Sequence, residues 1–260
     1  MTDLTTVLWV SAATAAGAMT LLWLVSLAVR DSSIVDIFWG AGFVLIAWVA
    51  FVTADGVEAR RLLLVVLTSI WGLRLSAYLA WRNLGKGEDY RYTAMRERWG
   101  SRWWWWSLFQ VFLLQGVLMW TVSLPVQAGQ VPATPDLGWA ALAGAAMWAV
   151  GMFFEGVGDL QMARFKADPA NRGTVMDRGL WRYTRHPNYF GDFLVWWGLG
   201  TVAAEASGAW WSLVGPALMS FLLLRVSGVA MLEKTIGERR PGYAEYVRRT
   251  SAFFPRPPRD

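Results

Sequence analysis

Residues 7–29 run without a single charged side chain, and stretches of the same kind recur along the whole chain. A hydrocarbon core of about 30 Å takes about 20 apolar residues as helix, because each residue rises only about 1.5 Å and every backbone N–H and C=O must be bonded within the segment. Six further apolar stretches follow, at about 34–53, 62–81, 103–124, 137–157, 188–204 and 210–232. The pattern predicts an all-α integral membrane protein of seven transmembrane helices. No polar connection is long enough to stand alone, so 1–260 reads as one transmembrane domain. The first run is too long for the apolar part of a signal peptide and no Lys or Arg precedes it, so it reads as a span.

Basic residues orient the bundle. Counted over successive connections, Lys plus Arg number one, two, six, none, six, none, and then seven after the last span. Excess positive charge stays on the cytoplasmic side, which predicts an N-terminus outside and a C-terminus in the cytoplasm of a cell (plasma or inner) membrane. Composition narrows the chemistry. With no cysteine there are no disulfides, thiolate nucleophiles or Cys-ligated metals, and a lone histidine makes a His-rich metal site impossible, so no metal is expected. A net charge of +5 sits in short connections rather than in a basic face, so nucleic acid is not an expected partner. Trp103, Trp104, Trp105 and Trp106 read as an interfacial aromatic belt.

The densest chemistry lies in residues 179–192, Gly-Leu-Trp-Arg-Tyr-Thr-Arg-His-Pro-Asn-Tyr-Phe-Gly-Asp. Pro187 biases His186 toward extended backbone and suits the first position of a helix, so a loop ends at His186 and a helix begins at Pro187. Free amides at that helix start, with Arg182 and Arg185 beside them, make an anion site of the kind phosphates occupy. Ionisable residues inside spans add to it. Asp36, Arg74, Glu155 and Arg225 each cost several kcal/mol unless paired or hydrated, which makes each a functional candidate. Asp159, Lys166 and Asp192 fall on the same side as the motif, so a mixed-charge cavity opening to the cytoplasm is expected. No GxGxxG, P-loop, HExxH or GxSxG is present.

The motif, the apolar run after it and the tail with Tyr243, Tyr246 and Ser251, Ala252, Phe253, Phe254 and Pro255 resemble the C-terminal half of the steroid 5-alpha-reductase superfamily. Its arginines and histidine match the version seen in sterol reductases. Residues 151–161, with Lys166 seven positions after Asp159, also resemble that family. The resemblance implies a seven-helix membrane reductase that takes NADPH from the cytoplasm and reduces an activated carbon–carbon double bond in a lipophilic substrate entering from the bilayer. It places Asp159, Lys166, Asn188, Tyr189, Asp192 and Arg225 at cofactor-contacting positions, and Glu155 where an Asn is usual. Arg74 and Tyr78 match basic and aromatic positions near the cofactor. Asp36 is the nearest equivalent of the substrate-clamping Glu, and Trp71 stands where a Tyr helps hold the steroid ketone.

Asp36, Trp71, Tyr189 and Asp192 are therefore the candidate catalytic residues. A carboxyl in a low-dielectric span can stay protonated and donate a hydrogen bond to the oxygen that gains charge during hydride transfer, and Asp36 is the candidate for that. Arg172, Arg182, Arg185 and Lys166 would neutralise the cofactor's phosphates, with His186 either a phosphate ligand or a packing residue at the helix entry. Two rival readings follow from the same residues. Isoprenylcysteine-type membrane methyltransferases, which use S-adenosylmethionine, share an Arg-His-Pro-x-Tyr motif; a transport or lipid-binding bundle would also carry intramembrane charges.

Overall fold

Each apolar run carries helix in the computed structural model of the chain, which describes residues 3–134, 136–206, 208–226 and 242–259. In chain order the helices are α1 (Leu4–Val29), α2 (Ile34–Thr53), α3 (Glu58–Asn83), α4 (Tyr90–Trp99), α5 (Trp103–Ser107), α6 (Leu114–Val122) and α7 (Leu124–Ala128). After these come α8 (Trp139–Ala167), α9 (Pro187–Ala204), α10 (Val214–Phe221) and α11 (Tyr243–Arg249). Among the described residues there is no strand, only an isolated bridge between Thr184 and Ser251.

Among the described residues, five helical stretches are long and apolar enough to cross a membrane: α1, α2, α3, the continuous Tyr90–Val122 and α8. They mark a multi-pass membrane protein. Five of the seven expected spans meet this measure among the described residues. The two remaining runs are helical: α9 opens with the polar Asn188, Tyr189 and Asp192, and the other is the short Trp210–Val226. Residues 227–232 of the expected last span lie outside the described residues.

Other boundaries also differ from the expectation. Helix begins before the tryptophan tetrad, at Tyr90, because Asp89 caps it by accepting a hydrogen bond from the Arg91 amide. A π-helical segment at Leu108–Leu113 then joins α5 to α6. The tetrad is split within α5: Trp104 and Trp105 are exposed as a belt requires, but Trp103 is buried. α8 runs ten residues beyond its expected end at 157, to Ala167. The break after α6 is wholly buried, since every residue from 122 to 130 is out of solvent. Carbonyls freed at a helix break need donors in an apolar setting. Gln127 Nε2 supplies one to Trp120 at 2.9 Å and Gln130 Nε2 another to Val126 at 2.8 Å.

Two compact units share the chain, one formed by Met1–Leu142 with Leu199–Gly215, the other by Ala143–Gly198 with Pro216–Asp260. In the first, α2 and α3 cross where two glycines meet. A Cβ on Gly72 would lie 2.5 Å from the Gly40 carbonyl oxygen, so the helices touch backbone to backbone. Glu205 of this unit accepts from the amides of Gly138 at 3.0 Å and Ala140 at 3.2 Å, which satisfies donors that the first turn of a helix leaves open.

Candidate functional site

In the second unit α8 and α9 approach along glycines repeated at seven-residue intervals, Gly144, Gly151 and Gly158 on one helix and Gly191 and Gly198 on the other. A Cβ on Gly151 would sit 2.6 Å from the Gly191 carbonyl oxygen, and one on Gly198 would sit 2.6 Å from that of Gly144. Seven residues are close to two helical turns, so the glycines make one stripe and the backbones close on each other. Polar side chains flank this stripe. Glu155 and Asp159 stand one turn apart on α8, and Asn188 and Asp192 one turn apart on α9. Gly191 abuts the Glu155 backbone, and Gly158 abuts Pro187 and Asn188.

Glu155 and Asp159 are both buried. Asn188 Nδ2 donates to Asp159 Oδ1 at 3.2 Å, while Asn188 Oδ1 is buried without a hydrogen-bond partner among the described residues. A buried amide oxygen left unmatched costs about 1–3 kcal/mol, which a ligand N–H or O–H would recover. The seam is rich in acceptors. It suits the hydroxyls of a ribose or the NH₂ of a carboxamide, and two carboxylates beside one another disfavour phosphate there.

The motif is held in place by the C-terminal tail. Thr184 and Ser251 form a parallel bridge, the Arg185 amide donates to Ser251 O at 2.9 Å, and Thr184 Oγ1 donates to Phe253 O at 2.7 Å. Arg185 is tied to the tail: its Nη1 donates to Thr250 O at 2.7 Å and Val247 O at 3.2 Å, closing the last turn of α11. The guanidinium is buried, a structural task that the phosphate assignment does not foresee. His186 is buried at the helix entry and stacks on Tyr189, with ring centroids 5.5 Å apart and planes 6° from parallel. Tail residues Phe253 and Phe254 pack edge-on against Phe190 and Phe193 of α9. Trp181, within the motif, is anchored on both sides: its Nε1 donates to Gly158 O at 3.0 Å, and its carbonyl accepts from the Tyr246 hydroxyl.

A glycine-spaced seam between two membrane helices, closed by the motif and its tail, is the geometry on which comparison with known proteins bears. The profile described as "Protein of unknown function (DUF1295)" matches residues 22–250. The chain belongs to this family. An uncharacterized protein of Schizosaccharomyces pombe, C594.04c, is 26% identical over 275 residues, covering 90% of this chain and 76% of its own length. No solved structure matches.

The remaining sequence candidates fall into two groups. Lys166 lies exposed in the last turn of α8, Arg225 is exposed in the π-helical Leu222–Val226, and Arg172 and Arg182 are exposed in the loop between α8 and α9. Asp36, Trp71, Arg74 and Tyr78 belong to the first unit. Trp71 is fully buried with its ring 5.5 Å from that of Phe43, Arg74 is half-buried, and Tyr78 takes the Arg82 guanidinium over its face at 5.7 Å.

Asp36 is placed differently from the neutral hydrogen-bond donor expected of it. Its Oδ2 pairs with Arg91 Nη2 at 2.6 Å and its Oδ1 accepts from the Tyr92 hydroxyl at 2.7 Å. Both carboxyl oxygens are thus taken up as acceptors, one by a guanidinium and one by a phenol. Next to it Glu88 takes Arg96 at 2.7 Å and the Ser32 amide at 2.8 Å. Burial pushes the Glu88 carboxyl up, but these hydrogen bonds outweigh it and hold it below the usual carboxylate range. Together the pairs latch the connection before α4 onto the start of α2.

Sequence reasoning did not single out the glycine stripe, Gln161, or the pairing of tail with motif. The stripe carried a signal in its seven-residue spacing. Gln161 Oε1 accepts from the Leu180 amide at 2.9 Å, beside Gly179 at φ +58°, and only the folded chain brings those residues together.

Proposed function

We propose that this protein is a membrane-embedded reductase that uses NADPH to reduce an activated carbon–carbon double bond in a lipophilic substrate. The observation that carries the reading is the seam, where Asn188, tied to Asp159 and flanked by Glu155 and Asp192, keeps a buried acceptor unmatched. The DUF1295 family is related to steroid 5-alpha-reductase-like membrane proteins, which supports the same class of chemistry. In this reading Asn188, Asp159, Glu155, Asp192 and Tyr189 bind the ribose and carboxamide parts of the cofactor. Lys166 and Arg225 of the same unit complete its surroundings, and Arg185 and His186 keep the motif in shape. NADPH supplies a hydride when bound, and the protein's share is to orient it, exclude water and stabilise charge on the substrate. Asp36 fixes Tyr92 and Arg91, and Trp71 packs against Phe43 in the first unit. Seven spans, an outside N-terminus and a cytoplasmic cofactor site complete the proposal.

The test is thermal unfolding of the purified chain in detergent. NADPH is expected to raise the unfolding temperature at concentrations where NADH and S-adenosylmethionine do little. Stabilisation by S-adenosylmethionine alone would replace the reductase with a methyltransferase, and stabilisation by none of the three would leave only a lipid-binding or transport bundle.

A further inference from the structure

Four arginines of the second unit converge on one half-open basin of about 880 Å³. Arg172, Arg178 and Arg182 come from the loop ahead of α9, and Arg249 from α11. The volume falls within the roughly 300–1,000 Å³ of small-molecule sites. Asp177 and Glu245 also line it, so four positive charges face two negative ones and the basin keeps an excess of two. One of those acids is a weak competitor: Glu245 reaches Arg249 at 3.7 Å with both side chains more than half exposed, at 61% and 53%. Water screens such a pair, so a stronger anion displaces it easily.

The floor is firm where the rim is open. Tyr246 is buried and bonded through its hydroxyl to the Trp181 carbonyl, and Thr250 is buried beside it. Gly173 and Gly242 sit on the wall at φ +79° and +83°, and a Cβ at either would meet nothing within 4 Å. Backbone turns without side chains therefore leave the entrance clear.

We propose that this basin is a phosphate-binding site, gripped by Arg178 and Arg249 together with Arg172 and Arg182. Guanidinium groups present paired N–H donors that match phosphate oxygens two at a time, and an excess of two charges balances a phosphate dianion. The concave shape selects a compact ligand over an extended polyanion. Two sources carry that chemistry, a soluble phosphorylated molecule and the headgroup of an anionic lipid. The inference goes beyond the reductase reading, since it needs neither a hydride donor nor an alkene, and it joins Arg178 and Arg249 to Arg172 and Arg182, which sequence alone had assigned to the cofactor's phosphates.

Calorimetric titration of inorganic pyrophosphate into the full chain, in nonionic detergent at fixed ionic strength, tests it. Saturable one-site binding is expected, weakened at least tenfold by Arg178→Ala or Arg249→Ala and abolished by both. Both side chains are exposed, so the variants fold, which an unchanged unfolding temperature verifies; Arg178→Lys, which keeps charge without the paired donors, is expected in between. No saturable binding by the unaltered chain, or equal binding by the double variant, overturns the proposal. Prior saturation with NADPH that blocks pyrophosphate identifies a soluble nucleotide as the source. Blocking by nanodiscs of phosphatidylglycerol, and not of phosphatidylcholine, identifies a lipid headgroup. Loss of pyrophosphate binding in the double variant with NADPH binding intact supports the basin as a site independent of the seam.

Discussion

Two polar clusters, one in each unit, answer the same problem differently. Around Asp36, each carboxylate oxygen receives a donor, Arg91 on one side and Tyr92 on the other. Around Asn188, the amide donates to Asp159 but its oxygen is buried and unmatched. A satisfied network fixes geometry and has nothing left to offer a ligand; an unsatisfied one stores binding free energy. The difference separates a latch from a site, although sequence marks both alike as charges within apolar runs.

The comparison breaks first if the seam tolerates bulk. Gly151→Val would push a branched side chain against the Gly191 carbonyl and the Val195 amide, and overpacking of this kind costs about 3 kcal/mol or more. Little folded protein is expected on size-exclusion chromatography, and a normal yield of stable protein would show that the helices do not close as described. Asp36→Ala comes next. Stripping Arg91 and Tyr92 of their acceptor in a partly exposed pair should cost about 1–3 kcal/mol and lower the unfolding temperature by several degrees, with NADPH affinity unchanged. A variant that stays fully stable would deny the latch.

Asn188→Ala sharpens the contrast from the other side. Affinity for NADPH should fall about tenfold, which is about 1.4 kcal/mol, while stability changes by less than the Asp36 variant shows. If stability falls and affinity does not, Asn188 is a packing residue. The smallest effect concerns Glu88, whose folded carboxyl lies below its ordinary value of 4.5. A lowered carboxylate contributes stability that is present above that value and is lost as pH falls through the folded one. From pH 7 to 5 the gap in unfolding temperature between the unaltered chain and Glu88→Gln should hold steady, then shrink below about pH 4.5. A gap that persists at pH 3 would mean that the Arg96 pair contributes nothing.

How much of this is legible in sequence follows from how local each cause is. Apolar runs report helices because hydropathy and backbone bonding act within a segment, and Pro187 marks the start of α9 because its ring restricts only itself and its neighbour. The motif itself stood out by density of functional groups. What Arg185 does with its guanidinium was hidden, since Thr250 lies 65 residues away. The partner of Asp36 was hidden in the same way, 55 residues along the chain at Arg91.

By itself, then, sequence determined the membrane-spanning helical character, the absence of cysteine chemistry and a motif built to begin a helix. Tertiary structure alone decided which charges are satisfied. It paired Asp36 into a latch, pressed the glycines of α8 and α9 together beside Asn188, whose Oδ1 is buried, and folded the tail against the motif. The physical reason is that helix formation is settled within a few residues, whereas the cost of a buried polar atom depends on whatever distant group the fold brings to it.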